Sequence, residues 1–138
     1  MNSTFWNHLL IRFIISFAFW EAFSLPVKML FFSKFYYMPA VKSIFVPIVD
    51  IYWLGPVFAD FIQIFFTGVL YYLAKPSLPE KFAGGFLFGI VLAGVFAGLT
   101  IFILSFTTVF PTQMVWVWCL YEALLSVSVA VIYSTEIT

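Results

Sequence analysis

Glu122 lies inside "WVWCLYEALLSVSVA" (Trp116–Ala130), an apolar run that holds a single carboxylate. The next charge downstream is Glu136, and the nearest upstream is Lys81. A carboxyl group in such a run has three chemical uses. Protonated, it donates a hydrogen bond to a backbone carbonyl or a polar side chain and holds helices together. Ionised, it pairs with a basic group, including one from a partner chain. Exchanging between the two states, it carries a proton or binds a cation. A charged residue at the centre of a membrane span costs about 2.5–3.5 kcal/mol on insertion scales, so a lipid-facing placement is the one to exclude.

Glu21 has a similar setting. "FWEAFS" (Phe19–Ser24) and "LYEALLS" (Leu120–Ser126) both read aromatic-Glu-Ala, with Ser24 or Ser126 three or four residues later on the same helical face. In four alternating spans the first and last run antiparallel, so the likeness is that of an inverted pair, an arrangement known in transporters. Two matches this short do not establish a duplication. Lys28 follows Glu21 by two turns on the same face, which predicts local pairing. Asp60, Gln63 and Thr67 follow i, i+3, i+7 and form one polar stripe, expected to face protein or water.

The remaining chemistry-bearing residues are sparse. His8 and Arg12 are four apart on one face near the N-terminal membrane edge, where an interfacial, solvated histidine is expected. Cys119 sits in an apolar run and reads as a packing residue. One His and one Cys cannot supply a tetrahedral metal set, so neither a metal nor a cofactor is expected. There is no glycine-rich phosphate loop and no nucleophile–base constellation, so the expectation is a protein that is not an enzyme.

The elements that position these residues follow from composition. The 138-residue chain is 64% hydrophobic and 9% charged, with mean hydropathy +1.12. A soluble domain carries roughly a quarter charged residues, so the class is an integral membrane protein. Net charge is zero, which leaves no basic field for nucleic acid. At about 20 residues per span, the chain holds four helices and little else. The expected fold is all-α and polytopic, one membrane domain over 1–138. Its spans fall near 9–25, 56–74, 82–110 and 112–134.

Pro26 marks an end or kink of the first span, which continues toward Phe32 in an alternative reading. Residues 27–55 are too polar to cross cleanly and too apolar for an ordinary loop. They read as an interfacial connector, with a re-entrant hairpin as the alternative. Gly55-Pro56 opens the second span and places Asp60 in its first turn. A start near Ile44 with a kink at Pro56 is the other possibility. "KPSLPEK" (Lys75–Lys81) is a short turn that makes the second and third spans antiparallel neighbours. Lysines are balanced between the two sides, so the positive-inside rule does not orient the chain.

The third span carries "GGFLFGIVLAGVFAG". Gly85, Gly89, Ala93 and Ala97 repeat every four residues and form one shallow ridge. Gly94 and Gly98 form a second pair on nearly the opposite face, since nine residues turn a helix by about half a revolution. Small residues let backbones approach, so two faces imply two close neighbours, one of them the first or fourth span and the other a different chain. This span, the proline after it and the last helix "FPTQMVWVWCLYEALLSVSVAVIY" resemble several small four-span bacterial membrane proteins of uncharacterised function. The resemblance covers about the last 55 residues, carries no substrate or site residue, and implies a bacterial inner membrane.

The functional expectation is a small non-enzymatic membrane subunit or scaffold that packs against other transmembrane chains in the bilayer, as a hetero- or homo-oligomer. The alternative is a small transporter or proton- or ion-conducting protein. Its polar path would run through Glu122, Glu21 and the Asp60–Gln63–Thr67 stripe.

Overall fold

The computed structural model describes residues 3–32, 34, 38–39, 54–107 and 111–135. They form four long helices: α1 (Ser3–Val27), α2 (Leu54–Ala74), α3 (Lys81–Thr107) and α4 (Thr112–Ser134). Each is long and apolar enough to cross a membrane. A spanning segment must satisfy its backbone polar groups internally, and a helix does so within itself. The fold is therefore an all-α, four-helix, multi-pass membrane protein. The connector expected over 27–55 lies outside the described residues apart from its ends.

Helix bounds differ from the sequence expectation in ways that matter. Helix α1 starts six residues before Leu9 and runs through Pro26 to Val27. The chain then widens into a π-helical turn over Lys28–Phe32. Proline cannot donate to the carbonyl one turn back, and such breaks are tolerated in a membrane where local π geometry re-pairs the backbone. Helix α2 starts at Leu54, so Asp60 is its seventh residue and not part of the first turn. The segment that a longer second helix would occupy lies outside the described residues. A single 3₁₀ turn, Lys75–Ser77, closes α2. The last span coincides with the expected 112–134.

The four helices do not pack equally. Helices α1, α2 and α4 contact one another, whereas α3 lies along α4 over most of its length. The core side chains Leu9, Phe13, Trp20, Ile64, Tyr71, Leu125, Val129 and Tyr133 come from α1, α2 and α4. The turn after α2 does bring α3 alongside it at one end, where Tyr71 and Phe88 meet edge to face with ring centroids 5.6 Å apart. The long neighbour of α3 is nonetheless α4, not α2.

Glycine explains that preference. A Cβ on Gly89 would stand 2.6 Å from the Val127 Cα and 3.1 Å from the Ser126 carbonyl oxygen. On Gly85 it would stand 2.6 Å from the Ser134 Cβ and 2.8 Å from the Ala130 carbonyl oxygen. Ala93, the next step of the ridge, is buried. Further along, the Cys119 thiol approaches the Ala97 carbonyl oxygen at 3.7 Å. The ridge therefore meets a matching face of small residues on α4: Cys119, Ser126, Ala130 and Ser134. Small residues on both helices allow close backbone contact, and contact is what holds helices together in lipid.

Candidate functional site

The polar side chains of the bundle fall into three groups along its length. The first is centred on Asp60, which is 5% exposed. Its Oδ2 accepts hydrogen bonds from the Trp20 indole nitrogen at 3.1 Å and the Tyr121 hydroxyl at 3.0 Å. The Lys28 ammonium makes an ion pair and hydrogen bond with the same oxygen. Trp20 also donates to the Tyr121 hydroxyl at 3.1 Å, and the two rings meet edge to face at 4.9 Å. Glu21 stands at the margin, its Oε1 4.0 Å from the Lys28 nitrogen. The π turn matters here, because Lys28 is its first residue and the side chain turns inward across α2. A buried charge is stable only when paired and hydrogen-bonded, and Asp60 is both.

The second group joins α1 to the ends of α2 and α4. Arg12 is 6% exposed. Its guanidinium donates to the Tyr72 hydroxyl at 3.1 Å and to the Tyr133 carbonyl oxygen. Tyr133 is the penultimate residue of α4, so that carbonyl has no partner within its own helix. Ser134 and Thr135 hydroxyls bond the Val131 and Ile132 carbonyls at 2.7 Å each. Arg12 thus completes the C-terminal cap of α4, where a cation also favours the helix dipole.

The third group contains Glu122, the eleventh of the 23 residues of α4. Gln63 of α2 donates to its Oε2 at 2.7 Å, and Trp118, one turn back on α4, donates to its Oε1 at 3.2 Å. Glu122 and Gln63 line a cavity of about 310 Å³ together with Phe96, Leu99, Thr100 and Trp118 among others. Helices α2 and α3 are tied at the Lys75–Lys81 turn and stand apart here, with α4 between them.

The sequence candidates are therefore distributed, not gathered. Asp60, Gln63 and Thr67 face the protein, but Asp60 belongs with Lys28 and Gln63 with Glu122. Glu21 and Glu122 share a sequence context and not a structural one. Lys28 lies near Glu21, as its spacing predicts, but its closer partner is Asp60. Ser126 is buried against α3, its hydroxyl without a hydrogen-bond partner among the described residues. His8 is exposed, and Cys119 is packed against α3. Gly85, Gly89, Ala93 and Ala97 face α4, whereas a Cβ on Gly94 or Gly98 would meet no described residue within 4 Å.

Sequence reasoning missed Trp20, Tyr121, Tyr72 and Tyr133, and it placed Arg12 at the membrane edge, not in the bundle. A signal for two of these was present. In "WE" and "YE" it is the aromatic residue preceding each glutamate that reaches the shared partner, Asp60. Comparison with known proteins finds no matching family model, no matching curated protein and no matching solved structure.

Proposed function

We propose that this chain is a non-enzymatic subunit of a membrane complex, packing through α3 against a transmembrane helix of another chain. One observation carries the reading: α3 is bound to the bundle along one face, while on the opposite face no described residue comes within 4 Å of where a side chain on Gly94 or Gly98 would begin. Between Lys81 and Thr107 this helix has no charged residue, so the free face lies within the apolar span. A glycine pair there offers a neighbouring helix the same close approach that Gly85 and Gly89 offer α4. The resemblance to small bacterial four-span proteins makes the inner membrane the proposed location. Purification in mild detergent tests the reading, with a second transmembrane chain expected at fixed stoichiometry. Recovery as a lone monomer that moves protons or ions in liposomes would contradict it and favour the transport alternative. That alternative draws on the mid-span Glu122 beside a cavity.

A further inference from the structure

Three intramembrane charge settings can be compared by what neutralises them. Asp60 has Lys28, with Trp20 and Tyr121 donating to the same oxygen. Arg12 has no carboxylate partner among the described residues, but its guanidinium caps the carbonyl end of α4, where the helix dipole offsets its charge. Glu122, in the middle of α4, has neither kind of compensation. Its two oxygens receive one neutral donor each, Gln63 and Trp118, and among the described residues no Lys, Arg or His lies within ion-pair distance of it. Neutral donors orient a carboxylate without cancelling its charge. A carboxylate oxygen accepts more than one hydrogen bond, so both retain capacity toward the cavity.

The cavity itself has a definite chemical character. At about 310 Å³ it is at the small end of the range that holds small molecules. Phe96, Leu99 and Thr100 of α3 form one wall, Gln63 of α2 the other, and Trp118 and Glu122 of α4 lie between. One anionic group amid apolar and aromatic walls selects for one positive charge carried on an apolar body. An indole face adds attraction for such a cation, strongest for groups too weakly hydrated to resist leaving water. A strongly hydrated metal ion is a poor match, because among the described residues Glu122 is the sole carboxylate lining the cavity and no cluster of His, Cys, Asp or Glu is able to hold a metal.

We infer that the α2–α3 cavity is a binding site for a small organic cation with apolar substituents, a quaternary ammonium or protonated amine, held by Glu122 and the Trp118 ring. Gln63 is a positioning residue that fixes the carboxylate toward the cavity. The site uses only this chain, so it stands whether or not α3 has a neighbour on its Gly94–Gly98 face.

Benzyltrimethylammonium is a suitable probe because it cannot lose its charge. Neopentylbenzene, its neutral isostere, controls for partition into apolar space. Equilibrium dialysis of the full-length chain in detergent micelles should give saturable binding of one equivalent of the cation and no saturable binding of the isostere. Glu122→Gln should weaken the cation at least about tenfold, through loss of the ionic contact. Thr100→Phe fills the cavity while keeping Glu122 in the chain and should abolish binding, which keeps the test decisive if Glu122→Gln perturbs the fold. Absence of saturable binding by the wild-type chain would overturn the inference. So would equal binding of the isostere, or unchanged affinity in Thr100→Phe.

Discussion

The three-helix group α1–α2–α4 and the outlying helix α3 are held by different forces. The first is pinned by buried polar contacts: Asp60 with Lys28, Trp20 and Tyr121 near one end, and Arg12 with Tyr72 and the Tyr133 carbonyl near the other. Along α2 the two polar layers are twelve residues apart, or about 18 Å at 1.5 Å per residue. Helix α3 has no comparable pin among the described residues and is attached through Gly85, Gly89 and the small face of α4. Polar pins fix which helices meet and in what register, because a mismatch strands a charge in lipid. Small-residue contact fixes only how closely two helices approach, and a helix with small residues on two faces can do so twice.

The largest effect on stability should come from the polar group. Asp60→Ala leaves Lys28 with only Glu21 nearby and should cost about 3–5 kcal/mol, the range for breaking a buried ion pair. Reversible unfolding in mixed micelles would measure it. Next comes the α3 contact. Gly89→Leu drives a side chain into the α4 backbone and should cost about 1–3 kcal/mol, read in the same assay. If the two modes are separate, it should splay α3 while leaving the Trp20 environment unchanged by near-UV circular dichroism. Trp20→Phe keeps a ring against Tyr121 but removes the shared N–H, and should cost about 1–3 kcal/mol, toward the lower end because Lys28 still serves Asp60. Smallest of all, Gly94→Leu should alter the stability of the isolated chain by less than about 0.5 kcal/mol, because no described residue stands near that position.

The sequence made the four helices legible because hydropathy and length act locally, and its glycine spacing set Gly85 and Gly89, which lie against α4, apart from Gly94 and Gly98. It did not make partner choice legible. "FWEAFS" and "LYEALLS" look alike, yet Glu21 lies beside Lys28 while Glu122 receives Gln63. The difference arises on α2, roughly forty residues from Glu21 and sixty from Glu122, where Asp60 and Gln63 are one turn apart and face different neighbours. Arg12 was hidden for the same reason. Its partner is a backbone carbonyl 121 residues away, which exists as a free acceptor only because α4 ends there. Lys28 reaches Asp60 from a π turn after a proline, a geometry that residue spacing along an ideal helix does not describe.

The central claim, that α3 has one face for this chain and one for another, is tested most directly by comparing two double variants for partner retention. The chain is purified in mild detergent as wild type, as Gly94→Leu with Gly98→Leu, and as Gly85→Leu with Gly89→Leu. The first double variant should lose its copurifying transmembrane chain while keeping wild-type stability. The second should lose stability through its contact with α4. Retention of the partner at wild-type stoichiometry by the Gly94/Gly98 variant, or the absence of any partner from the wild type, would contradict it.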